Sequence, residues 1–489
     1  MIRSSTPKDY ETVSRSRSQR GTVSPFTTND EAPASVAVTA AGNALEVSVT
    51  EPIIPTLKRG HVFSFAALFL FTIVLYGRPS EFYPSVWTNS LALIVGIVTL
   101  LFFVATQVTL EGNLTARPTE VNLVLLFMMM GLLSIPLAID PSIAWSEFSG
   151  AFVRGILIFV VIINVVRTEA RLKALLFLSV ITAVVLSVQA INDYRLGLMT
   201  IEGYRAAGHG TGIFGNTNDM ALHLVTMLPV SIALFFGSRK PLRKAIHVAC
   251  AAMMIFGILL SYSRGAFIGV LVVFVFLALR LGRRSKFEIA VLLVALLAAM
   301  LLMAPSGYSD RLLSIVMPGM DSNGSADSRR GELFRSIYVA LRHPLLGVGM
   351  GNYQANMSYK GLVTHNSYTQ VASEMGMTAL VLYISFMVRP FRKLSSIAKQ
   401  TFGVREDSHF YYLALGLQAS LLVFMVSSFF LSVPYAWNVY YLVGYAVCFR
   451  RIYESSTGKV VKVEKGKKQS DNAVSSSSIP DSERSPAAA

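Results

Sequence analysis

Four side chains in this 489-residue sequence could do chemistry: Arg205, Arg264, Arg330 and His365. A guanidinium is a permanent cation whose fork of donors fits carboxylates and phosphates. An imidazole with an ordinary pKa near 6.5 can take a hydroxyl proton at neutral pH. His365 is followed by Asn366, and either residue could simply cap the start of a helix. Glu374 and Gly376 lie further along the same apolar run. A carboxylate there is a functional suspect, and a structural partner for an arginine such as Arg154 is the equal alternative. Arg205 precedes Gly215-Asn216-Thr217-Asn218-Asp219. Asn216 and Asn218 could lie against a ligand, or cap a helix with Asp219 in its first turn.

The elements that must position these residues follow from composition. Hydrophobic residues make up 53% and charged residues 15%, against roughly 25% charged in a soluble domain. Mean hydropathy is +0.54. A disordered scaffold, a disulfide framework and an ordinary cytosolic enzyme are excluded; Cys250 and Cys448 sit in apolar runs. A hydrocarbon core about 30 Å thick needs about 20 apolar residues per helix. Such runs occur near 61–77, 88–105, 121–138, 149–166, 172–190 and 218–237. Others follow near 245–262, 265–280, 287–304, 366–388, 409–431 and 434–450. The fold expected is an all-α polytopic membrane protein of about twelve transmembrane helices spanning 61–452. Segments 1–60 and 453–489 read as Ser-rich disordered tails, and no apolar h-region makes 1–60 a signal peptide.

The net charge of +15 separates by position. No basic stripe interleaved with aromatics appears, so nucleic acid is excluded as a partner. Alternate short connections hold 17 basic residues on one side and 4 on the other, which are Arg78, Arg195, Arg205 and Arg264. The positive-inside bias then puts both termini in the cytoplasm and the long loop 305–364, between spans 9 and 10, on the outer side. Arg264 falls in a very tight outer turn at Ser261-Tyr262-Ser263-Arg264-Gly265, because few residues remain for two crossings. Holding it deeper would cost roughly 2.5–3.5 kcal/mol, and snorkelling to lipid phosphate is its bland alternative.

Within the long loop, Leu333, Ile337 and Leu341 recur at helical spacing beside Arg335 and Arg342, predicting an amphipathic helix with that stripe as its apolar face. Three alternating glycines in His343-Pro344-Leu345-Leu346-Gly347-Val348-Gly349-Met350-Gly351 predict an irregular loop held close to something. They are weak evidence for phosphate binding, since no strand precedes them. Arg205, Arg264, Arg330 and His365 all fall on one side of the membrane, which points to an outward-facing site for an anionic ligand.

Five motifs occur in order: Gly212-Ile213-Phe214-Gly215-Asn216-Thr217-Asn218-Asp219; Ser263-Arg264-Gly265; Ser328-Arg329-Arg330-Gly331-Glu332-Leu333-Phe334; His343 to Gly349; and His365-Asn366 with Glu374 and Gly376. In that order, over roughly 200–430, the chain resembles the O-antigen ligase and O-antigen polymerase family of bacterial surface glycan assembly. Thr217 departs from the family's usual Pro and Phe334 from its usual Trp.

The resemblance implies a GT-C-like, metal-independent, inverting glycosyltransferase without cofactor in the bacterial inner membrane. Its partners would be an undecaprenyl-diphosphate-linked glycan donor, a lipid A–core or lipid-linked repeat acceptor, and membrane lipids, at a periplasmic site. Carried over residue by residue, His365 matches the base, and Arg264 and Arg330 match the diphosphate-contacting arginines. Arg329 is a close second to Arg330, and Arg205 is a weaker match. Asn216, Asn218, Asn366 and Glu374 support the site. Two other classes compete: a small-solute transporter, for example of bicarbonate, and a structural component of an export assembly. A transporter predicts internal repeats and polar groups at the membrane midplane.

Overall fold

An apolar stretch that crosses a bilayer must satisfy its own backbone polar groups, and a helix does so locally. The computed structural model describes residues 57, 60–199, 205–206, 214–281, 325–405 and 409–461, with six isolated positions between 291 and 302. Its helices are α1 (Val62–Gly77), α2 (Val86–Glu111), α3 (Thr119–Ser134), α4 (Pro141–Glu147), α5 (Val153–Val165), α6 (Glu169–Arg195) and α7 (Thr217–Gly237). They continue with α8 (Pro241–Leu260), α9 (Arg264–Leu281), α10 (Ser325–Arg342), α11 (Ser367–Thr401), α12 (His409–Ser427) and α13 (Trp437–Thr457). Among the described residues there is no sheet, only an isolated bridge between Met199 and Ala206.

Nine helical stretches among the described residues are long and apolar enough to cross a membrane, with α4 and α5 joined as one through a break at Gly150. The chain is an all-α, multi-pass membrane protein. Helix α3 is shorter at 16 residues and α13 carries Arg450, Arg451 and Glu454 in its last turns; they occupy two further expected spans. The expected span at 287–304 lies largely outside the described residues. So do the loop portion 305–324, the Gly208–Ile213 stretch and the greater part of both tails. Helix α13 runs on to Thr457, past the expected tail boundary at 452, and stops where Gly458 turns left-handed at φ 67°.

At the end of the bundle remote from His365, charged ties replace apolar packing. Arg450 forks onto Glu120 with Nη1–Oε1 3.2 Å and Nη2–Oε2 3.1 Å, and Lys393 Nζ lies 3.1 Å from the same carboxylate. Glu120 is fully buried, and this cluster joins α3, α11 and α13. Arg167 makes a second tie by donating to Glu111 (2.6 Å) and to the Asn164 carbonyl (2.6 Å). Removing an anion from such a place would strand buried cations.

Helix α10 corrects the expected stripe. Its inward face is Glu332, Ser336, Val339 and Ala340, while Ile337 and Leu341 are exposed and Leu333 is half-buried. Ser336 donates to Thr369 of α11 (2.9 Å), and Tyr353 donates to Glu332 (2.7 Å). Polar partners on neighbouring elements outcompete the apolar stripe for the protein-facing side. A 3.6-residue period marks a face without saying what the face meets.

Candidate functional site

The turn between α8 and α9 is as tight as the residue count requires, with Ser261-Tyr262-Ser263 joining Leu260 to Arg264. Tyr262 takes a left-handed φ of 49°. The Ser261 hydroxyl donates to the Ile258 carbonyl (2.6 Å) and accepts from the Ser263 amide (3.2 Å), holding the bend. Arg264 opens α9, half-buried.

Arg205 is 6% exposed and closes over this turn. Its Nε donates to the Ser261 carbonyl (3.0 Å) and its Nη2 to Asn218 Oδ1 (2.8 Å). Asn216 caps α7, its side chain accepting from the Asn218 amide (2.8 Å). Thr217 is therefore the first residue of that helix, a position where Pro is favoured only for its preset φ. The Thr217 departure leaves both asparagines in place. Asn216 is a cap, Asn218 holds Arg205, and Arg205 clasps the Asn segment onto the Arg264 turn.

The connection between α12 and α13 carries this turn toward His365. Gly265 lies so close to Phe430 that a Cβ would stand 3.3 Å from that ring's own Cβ. Its carbonyl accepts from the Ser427 hydroxyl (3.4 Å). On the other side, the Ser367 hydroxyl donates to the Leu431 carbonyl (2.6 Å) and accepts from the Val433 amide (3.0 Å). Thr364 and Ser432 share a hydroxyl hydrogen bond of 3.0 Å. Segment 427–433 thus touches both the residue that follows Arg264 and the residues that flank His365.

His365 occupies the left-handed region at φ 52°, an uncommon state for a residue with a side chain. The Thr364 hydroxyl bridges over it, donating to the Asn366 carbonyl (2.9 Å) and accepting from the Asn366 amide (3.3 Å). Asn366 caps α11, accepting from the amides of Tyr368 (2.9 Å) and Thr369 (3.0 Å). Burial first, and the Arg329 charge second, lower the His365 pKa to about 4, with Glu332 acting the opposite way. The imidazole is neutral at physiological pH. Of the adjacent arginines, Arg329 is half-buried and bears on His365, whereas Arg330 is exposed with its guanidinium 5.8 Å from the Phe334 ring centre.

Helix α11 breaks at Gly376, where φ is 89°. The break strips carbonyls and an amide of their helical partners, and the glycine-rich loop supplies replacements. Val348 donates to the Ser373 carbonyl (2.9 Å), Gly349 to the Glu374 carbonyl (2.9 Å), and Met377 donates to the Pro344 carbonyl (2.8 Å). A Cβ on Gly376 would sit 2.2 Å from the Leu345 oxygen, and one on Gly347 would sit 2.3 Å from the Glu374 carbonyl carbon. Gly347 therefore serves backbone-to-backbone contact, whereas Gly349 and Gly351 make room for the side chains of Ala138 and Glu147. Asn352 fixes the far side of the loop, accepting from the Asp140 amide (2.8 Å) and donating to its carbonyl (3.0 Å).

Glu374, 1% exposed, ends beside this break. Tyr435 donates to its Oε2 (2.8 Å), and Gln370 is a longer partner at 3.4 Å. Arg154 is exposed on α5 and forms no ion pair with Glu374. The carboxylate is held by a phenol and an amide, so of the two readings open to it the arginine-partner one does not hold for Arg154. Tyr435 was missed in the sequence because it looks like an ordinary residue just before a helix. Among the described residues, no three or more His, Cys, Asp or Glu side chains converge as a metal-binding group.

Residues 249–384 match the model of the O-antigen ligase family. Over that stretch, a little over a quarter of its length, the chain is similar to the O-antigen ligase family. No curated relative matches the chain significantly. The matched stretch takes in Arg264, Arg329, Arg330, His365 and Glu374. Arg205, Asn216 and Asn218 fall outside it and join it through the carbonyl of Ser261.

Proposed function

We propose that the chain transfers a glycan from undecaprenyl diphosphate to an acceptor hydroxyl at the periplasmic face, as a ligase or polymerase of surface polysaccharide. The observation that carries this reading is His365, a neutral imidazole in a rigid turn, beside the Arg329 guanidinium and joined to the Arg264 turn through segment 427–433.

In this reaction the acceptor oxygen attacks the anomeric carbon as the bond to the diphosphate oxygen breaks. The diphosphate leaves with the bonding electrons, and His365 takes the acceptor's proton. Arginines aimed at the leaving group stabilise the charge that develops there. Direct displacement inverts the anomeric centre. Arg264 and Arg329 would be the diphosphate pair, a reading supported by the bearing of Arg329 on His365, the exposure of Arg330, and the use of Arg205 as a clasp on the Arg264 turn. Arg329 holds the imidazole's basicity down; a diphosphate bound to that arginine would offset its charge and raise it. The base is strengthened when the donor arrives.

The test is a gene deletion followed by analysis of lipid-linked glycans. Accumulated long chains indicate a ligase, accumulated single repeats a polymerase, and unchanged lipid-linked glycans exclude both. A transporter is disfavoured because these polar residues gather at one end of the helices, where midplane groups would be needed.

A further inference from the structure

Beside His365 lies a cavity of about 260 Å³ whose lining is chemically unlike the arginine side of the site. Its walls include the carboxylates of Glu147 and Glu374, the amides of Gln354 and Gln370, and the rings of Tyr353 and Tyr435. Thr364, the residue immediately before His365, also borders it.

Among the described residues no cation lines this space, and the exposed Glu147 carboxylate repels a diphosphate, so it does not suit the anionic end of the donor. Carboxylates and amides do suit a ring of hydroxyls, each of which can donate and accept. Gln370 Oε1 is buried with no hydrogen-bond partner, an acceptor awaiting a donor. Tyr435 gives its proton to Glu374 and keeps its oxygen lone pairs free to accept. Tyr353 is anchored by its hydroxyl to Glu332, which leaves the ring as a rigid wall. The volume falls just under the roughly 300–1,000 Å³ of sites for drug-sized ligands, a size for one sugar ring.

We propose that this cavity is the subsite for the acceptor's terminal sugar, holding it so that one hydroxyl faces His365. The assignment rests on the glycosyl-transfer reading above. Glu147 and Glu374 would accept hydrogen bonds from the sugar hydroxyls, and Gln370 would fix its orientation. The charge pattern then sorts the substrates, with diphosphate toward the arginines and acceptor sugar toward the carboxylates.

The test is saturation-transfer NMR on the full chain in lipid nanodiscs, with methyl glycosides of glucose, galactose, mannose and N-acetylglucosamine as probes. At least one glycoside should receive saturation from the protein. Because Glu147 is exposed, Glu147→Gln leaves folding intact, and it should weaken that binding about tenfold or more. Glu374→Gln should do the same, while Arg264→Ala should retain the glycoside signal. Absence of transfer from all four probes, or undiminished binding by Glu147→Gln, overturns the proposal. No transfer reaction enters this readout, so its failure leaves the lipid-linked glycan result standing. Conversely, glycoside binding with unchanged lipid-linked glycans would retain the sugar pocket and exclude the transferase reading.

Discussion

Arg205 bridges the Ser261 carbonyl, 3.0 Å away, and the Asn218 side-chain oxygen, 2.8 Å away. A single guanidinium therefore fastens the Asn motif, which lies outside the stretch similar to the O-antigen ligase family, to the turn that presents Arg264 within it. Arg205→Ala leaves buried acceptors without donors, a loss of about 1–3 kcal/mol. Asn218→Ala should fall short in the same way, and the double variant should lose little more than either single one. Arg205→Lys cannot reach both acceptors in fork geometry and should recover little stability. Thermal unfolding in detergent checks this. Full stability of Arg205→Ala would return Arg205 to the role of substrate contact.

The two neighbouring arginines should separate in a pH–rate profile. Arg329 depresses the His365 pKa, so Arg329→Ala raises it and moves the acid limb of kcat/KM upward in pH. Loss of a charge-stabilising donor should also cost about 10²-fold or more in rate. Arg330→Ala should leave the limb in place, because Arg330 is turned out over Phe334.

Alanine at two glycines should act with opposite signs. Gly376→Ala must adopt φ 89° and meets the Leu345 oxygen, so the break in α11 and the loop docked on it are lost together. Backbone strain alone costs about 1–3 kcal/mol, and the level of folded protein in the membrane should drop. Gly331 lies within α10, where an added Cβ would meet nothing within 4 Å. Gly331→Ala should raise stability by up to about 1 kcal/mol through helix propensity.

The charged tie at the remote end is structural. Glu120→Gln strands Arg450 and Lys393 around a neutral amide and should destabilise by about 3–5 kcal/mol. Its defect should appear as reduced thermal stability, with the acid limb of activity unmoved. A normal melting temperature would show that solvent already screens the cluster.

Helices and caps were legible in the sequence because apolar run length and Asn position act locally. Asn216 and Asn366 both cap, one of the two roles open to each residue from its position alone. The tight Arg264 turn was legible because residue counts between basic clusters left no other solution. The break at Gly376 was not, since its cost is offset by a loop some thirty residues earlier in the chain, through bonds such as Met377 to Pro344. The inward face of α10 was hidden for a related reason. Glu332 and Ser336 face inward because Tyr353 and Thr369 meet them there, and those partners lie on other elements.

The most direct measurement of the central claim is kcat/KM against pH for purified enzyme, paired with His365→Ala at the same level in the membrane. With His365 as base, burial and Arg329 hold its pKa at about 4. The acidic limb should therefore lie near that value, with activity level from about pH 5 to neutrality, and His365→Ala should abolish transfer. Full surface glycan from His365→Ala at normal membrane levels would contradict the account.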